Sequence, residues 1–108
     1  MRNKRPLVLL LLACCLAQPA LGAQVFGVNN CGDWIRTSKE RPFDRGWLIG
    51  YMSGLSFMYE AFGKKDDPLS KVSSGNQIYV WMDNYCQKNP LKDVANGAET
   101  LFLELQQK

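Results

Sequence analysis

The stretch Phe43-Asp44-Arg45-Gly46-Trp47-Leu48-Ile49-Gly50-Tyr51-Met52-Ser53-Gly54-Leu55-Ser56-Phe57-Met58-Tyr59-Glu60-Ala61-Phe62 decides the fold class. Trp47, Tyr51, Leu55, Met58 and Phe62 recur at steps of four, four, three and four, the spacing that lines one face of an α-helix. Gly63 follows as a C-terminal stop. No charge occurs from Gly46 to Tyr59, but these 14 residues are too few to cross a bilayer, so the segment reads as a buried helix. Gly46, Gly50 and Gly54 fall four apart along it. Each costs about 1 kcal/mol relative to alanine in a helix interior, so a compensating contact is expected. The expected contact is another helix backbone packed closely over this smooth face. A groove for a partner helix would use the same spacing, and spacing alone does not separate the two.

Working toward the N-terminus, Asn30 is placed to cap a short first helix, with Asp33 at the positive end of its dipole. Trp34 and Ile35 give that helix its apolar contact, and the polar run up to Pro42 ends it. Residues 23–29 read as a flexible lead. Toward the C-terminus, Lys64-Lys65-Asp66-Asp67-Pro68 is a solvated charged loop; its Asp pair lacks the further oxygen ligands a metal needs. Ser74-Gly75-Asn76-Gln77 has capping-box spacing and opens a third helix with Ile78, Trp81, Met82 and Tyr85 on its buried stripe. Asn89-Pro90 is read as the end of that helix and the start of a fourth, which buries Leu91, Val94, Ala98, Leu101 and Leu105. Strand patterns are almost absent. The expected architecture is all-α: a small four-helix domain over residues 23–108, stapled by one disulfide.

Residues 1–22 have another character. Arg2, Lys4 and Arg5 precede the apolar run Leu7 to Ala13, and Ala20-Leu21-Gly22 offers small residues for cleavage. This is the layout of a secretory signal, which predicts export to the periplasm with cleavage after Gly22. Leu11-Leu12-Ala13-Cys14 also resembles a lipoprotein box, so a lipid anchor on Cys14 is the alternative. The formal charge of +3 comes from this leader: without Arg2, Lys4 and Arg5, ten basic residues balance ten acidic ones. Composition therefore gives no reason to expect nucleic acid as a partner. After processing no stable membrane insertion is expected either. The two cysteines beyond the leader, Cys31 and Cys86, read as one disulfide in an oxidising compartment.

The chain has no histidine. That removes imidazole-based triads, the usual zinc and haem sites, and a general base near neutral pH. Glu60, Asp83 and Glu104 lie on different helices, and no phosphate loop or nucleophile elbow is present. No catalytic residue, cofactor or metal site is expected, and the chain reads as a binding protein rather than an enzyme. Trp47 and Trp81, on helix stripes, are expected in the core. Trp34, Tyr59, Tyr79 and Phe102 lie at stripe edges and are the candidates for a protein-binding patch.

The order Cys31-Gly-Asp-Trp-Ile35, Trp47-Leu-Ile-Gly-Tyr-Met-Ser-Gly54 and Trp81-Met-Asp-Asn-Tyr-Cys86-Gln-Lys-Asn-Pro90 resembles the HdeA/HdeB group of periplasmic acid-stress chaperones. The resemblance implies a closed homodimer near neutral pH that opens in acid and binds unfolded clients. The same stretch is similar to the Rap/Tai immunity proteins of type VI secretion, through Gly50-Tyr-Met-Ser-Gly54 and Ala98-Glu-Thr-Leu101. That likeness implies instead a protein that neutralises a single toxin, such as a peptidoglycan amidase.

Overall fold

The structure, a computed structural model, describes residues 24–37, 39–40 and 42–108. The leader expected over 1–22, with Cys14 and Cys15, lies outside these residues. Four α-helices occur among those described: α1 (Cys31–Thr37), α2 (Pro42–Ala61), α3 (Gly75–Lys88) and α4 (Val94–Gln106). A 3₁₀ turn at Pro68–Lys71 joins α2 to α3. The expected all-α, four-helix class is the observed one.

Each helix begins and ends for a local reason. Asn30 Oδ1 accepts the Asp33 backbone N–H at 2.8 Å, while its amide donates to Asp33 Oδ2 at 2.9 Å, so the cap of α1 is satisfied in both directions. α2 ends in a Schellman motif. Gly63 has φ +73°, its N–H bonds to Glu60 O, and the Lys64 N–H bonds to Tyr59 O. At α3 the capping box is displaced: Ser74 makes no side-chain cap bond, and Gln77 Oε1 accepts from the Ser73 N–H at 2.7 Å.

The start of α4 differs from the expectation. Asn89 caps the end of α3, but Pro90 and Leu91 lie in a turn and the helix opens only at Val94. Asp93 and Asn96 form a complete capping box there, a better initiator than Asn89-Pro90. Leu91, expected in the core, is consequently 99% exposed. The lead is also less free than its sequence implies. Asn30 and Asp93 form an antiparallel bridge, with the Cys31 N–H bonded to Lys92 O and the Val94 N–H to Asn29 O, each at 2.9 Å. Further back, Phe26 O accepts from Trp47 Nε1.

The core gathers Trp34 from α1, Leu48 and Met52 from α2, Ile78 and Met82 from α3, and Val94, Ala98, Leu101, Phe102 and Leu105 from α4. Cys31 and Cys86 form the expected disulfide, joining α1 to α3 across 55 positions of sequence. Closing a loop of that size contributes roughly 4 kcal/mol by the chain-entropy model, large beside a typical net stability of about 5–15 kcal/mol.

On α2 the buried stripe is rotated from the expected one. Asp44, Leu48 and Met52 are buried, Trp47, Tyr51 and Leu55 are half-buried, and Met58 and Phe62 are exposed. α4, the 3₁₀ turn and α3 are the elements packed on α2, and they leave its 46–50–54 side open, so the large side chains outnumber the positions available to bury them. Trp47 and Trp81 are half-buried rather than core, and each stacks on a tyrosine one turn later, at 5.0 Å on Tyr51 and 5.3 Å on Tyr85. Among the described residues no helix is long and apolar enough to cross a membrane.

Candidate functional site

The four side chains expected to form a binding patch do not form one. Trp34 is 0% exposed, and its indole N–H donates to Asp83 Oδ1 at 2.8 Å, fastening α1 to α3. Phe102 is buried, and Tyr59 meets it edge-on with ring centroids 5.8 Å apart. Tyr79 is half-buried under the Arg45 guanidinium, 4.7 Å from its ring centroid. These residues hold the fold together; a stripe-edge position on a short helix is still inside when a third helix covers it.

The exposed apolar surface lies mainly on the outer side of α2. Phe43 is 74% and Phe57 70% exposed, and Met58 and Phe62 are exposed as well. Phe43 and Phe57 are one helical step beyond the outer glycines, and at 100° per residue they share one face with Gly46, Gly50 and Gly54. That face points away from Leu48 and Met52. A Cβ built on Gly46, Gly50 or Gly54 would find nothing within 4 Å. The expected close packing of a helix inside the domain over these glycines is therefore not what the structure has; they form an open floor between two exposed phenylalanines. Beside the floor, Gln24, Val25, Phe26, Trp47, Gly50 and Tyr51 line a shallow groove of about 400 Å³.

The glycine most tightly approached is Gly97 on α4. A Cβ there would lie 2.5 Å from Met82 Sδ and 2.9 Å from Tyr85 Cδ1. Sequence reading missed it because it stands alone, without a repeating partner to draw attention.

A second feature is the use of carboxylates as fasteners between elements. Besides Asp83, Glu99 Oε1 accepts the Tyr51 hydroxyl at 2.7 Å, joining α2 to α4. Glu104 Oε2 accepts the Trp81 indole N–H at 3.1 Å, joining α3 to α4. Asp67 takes the Ser56 hydroxyl at 2.6 Å and the Leu69 N–H at 3.0 Å, tying the 3₁₀ turn to α2. Burial, then the hydrogen bond and charge of Glu99, and then the charge of Asp93, push the Tyr51 hydroxyl up to about 12. Every donor in this set is neutral, so each bond draws its strength from the charge on the acceptor.

Among the described residues no group of three or more acidic or cysteine side chains is arranged to hold a metal ion. Comparisons with family models, with curated proteins and with solved structures return no match.

Proposed function

We propose that the chain is a small exported binding protein, chaperone-like rather than catalytic, that opens in acid and holds unfolded clients in the periplasm. The observation that carries this reading is the set of four carboxylate fasteners: Asp67, Asp83, Glu99 and Glu104 each tie two elements through a neutral donor. A charge-assisted hydrogen bond is roughly twice as strong as a neutral one, so protonation weakens all four links together. Acid also removes the ten acidic charges that balance ten basic ones beyond the leader. The chain then moves from neutral toward +10 and repels itself. The Cys31–Cys86 bond keeps α1 with α3 while the rest loosens, and the apolar core becomes surface for a client.

The test is client aggregation followed by light scattering at about pH 7 and pH 2.5, with and without an equimolar amount of the oxidised protein. Suppression in acid alone is the expected result. No suppression at either pH, or a chain that stays fully folded at low pH and leaves the client to aggregate, removes the reading.

The alternative is an immunity or inhibitor protein acting on one toxin near neutral pH. Its support is the α2 outer face, which is apolar and already formed in the folded state, so a partner could dock without any opening. Inhibition of a peptidoglycan amidase at neutral pH, lost on Phe57→Ser, would favour it over the chaperone.

A further inference from the structure

α3 buries Ile78, Met82 and Cys86 and carries two further rows of side chains beside them. At steps of four, about one helical turn, Asn76, Val80 and Asn84 form one row, and Gln77, Trp81 and Tyr85 form the other. The first row and Gln77 are exposed, while Trp81 and Tyr85 are half-buried. Two adjoining grooves, of about 450 and 360 Å³, are lined by these rows and share Trp81 and Asn84. Each lies in the usual size range of a small-molecule site, roughly 300–1,000 Å³. The rows set two stacked aromatic rings and one exposed valine among three carboxamide groups. We propose that this double row is a binding site for a neutral oligosaccharide that carries acetamido groups.

The chemistry of the lining selects that class. A pyranose ring presents C–H bonds on its faces and hydroxyls round its rim, so it calls for an apolar plane below and donors paired with acceptors at the side. Trp81 supplies the plane and is held ready for it. Tyr85 stacks on it at 5.3 Å, and Glu104 Oε2 accepts its indole N–H at 3.1 Å. The side groups are amides, each with a donor and an acceptor. Among the described residues the Asn76 and Asn84 side chains make no hydrogen bond, and Gln77 commits only its oxygen, to the Ser73 N–H. An acetamido group matches this row twice over: its N–H and C=O pair with a carboxamide, and its methyl covers Val80, which is 59% exposed. Charged ligands fit poorly. Lys88 is the one cation lining the grooves and shares its groove with Glu104, so a phosphate or an acidic sugar finds no cluster of positive charge. From Asn76 to Lys88 the surface runs about 18 Å at the ordinary helical rise, longer than one sugar ring, so a chain of several is the fitting occupant. The inference does not rest on the chaperone reading; it concerns the folded protein at neutral pH with no client present.

The test is a titration of the oxidised protein, expressed as the full chain, that follows side-chain amide and indole NMR signals at neutral pH. The probes are chitotetraose and cellotetraose, which share a backbone and differ in the acetamido groups. Chitotetraose should shift the Trp81 indole and the Asn76 and Asn84 amides with a Kd of about 0.1–1 mM, and cellotetraose should bind about tenfold more weakly or worse. Asn84→Ala, at an exposed position, should weaken chitotetraose binding about fivefold with unchanged helical circular dichroism. Trp81→Ala should abolish binding; because Trp81 also ties α3 to α4, Asn84→Ala serves if that chain fails to fold. No shift at about 10 mM chitotetraose overturns the proposal. So does equal binding of the two sugars, binding that survives both substitutions, or a set of shifts on the outer face of α2 instead.

Discussion

α2 and α4 pack against each other but are built on opposite terms. α2 has 20 residues and buries Asp44, Leu48 and Met52; α4 has 13 and buries seven, among them Val94, Ala98, Leu101 and Leu105. Both carry glycine where helix propensity disfavours it. On α4 a side chain at the single Gly97 would run into Met82 and Tyr85, whereas a Cβ at any of the three regularly spaced glycines on α2 would meet nothing within 4 Å. The regular spacing makes a smooth face, but it carries no information about which body lies on that face. Contact at a glycine is decided by the opposing helix, here by a methionine and a tyrosine three positions apart on α3.

The largest effect should come from taking away the one covalent tie, which tests whether α4 owes its place to packing alone. Cys31→Ser with Cys86→Ser is expected to cost about 4 kcal/mol in denaturant unfolding. Hydrogen exchange should then show α1 losing protection first, since it contributes only Cys31 and Trp34 to the buried set, while α4 keeps its own. Equal loss in both helices would mean that the contrast between a stapled and a packed element is false. Next comes Gly97→Leu. A side chain has no room between Met82, which is fully buried, and the Tyr85 ring, so overpacking should cost about 3 kcal/mol. A midpoint within error of wild type would show that α3 and α4 separate more easily than their packing implies.

Much of the fold was legible because it rests on short-range signals. Asn30 and Asp33 at the start of α1, Gly63 at the end of α2, and Ile78 and Met82 on α3 all act as their sequence positions imply, while Trp81 and Tyr85 of the same expected stripe are only half-buried. The disulfide was legible from the two cysteines beyond residue 22 and the export that the N-terminal pattern leads one to expect. What was not legible depends on residues far apart in the chain. Trp34 looks like an edge residue on a seven-residue helix, yet Asp83 receives its indole across 49 positions and the core closes over it. The stripe of α2 was misplaced because large apolar residues occur on most sides of that helix, so periodicity fits more than one rotation. Only the neighbours choose between Leu48–Met52 and Met58–Phe62 as the inner side. The binding candidates failed for the same reason: Phe43 and Phe57 are flagged neither by a stripe nor by a motif, only by what fails to cover them.

Between α2 and α4 the most specific link is Tyr51 to Glu99. Tyr51→Phe should lower stability by about 1 kcal/mol at neutral pH, the usual net worth of such a bond. Its pH signature is sharper. A hydroxyl near 12 in the folded chain, against an ordinary tyrosine value near 10, binds its proton more tightly when folded. The stability this contributes is complete below about pH 10 and is lost as pH rises from about 10 toward 12. Thermal melts over that window should fall more steeply for wild type than for Tyr51→Phe. Parallel curves would mean that the hydroxyl is no better held in the folded chain than in the unfolded one.

The smallest change is the one that returns to the comparison most directly. Gly50→Ala places a methyl group where nothing lies within 4 Å inside the domain, and it reduces the freedom of the unfolded chain. In denaturant unfolding it should raise stability by about 0.5–1 kcal/mol, opposite in sign to Gly97→Leu. A loss of stability instead would mean that the outer face of α2 is pressed from within the domain after all, and that the two helices do not differ in how their glycines are used.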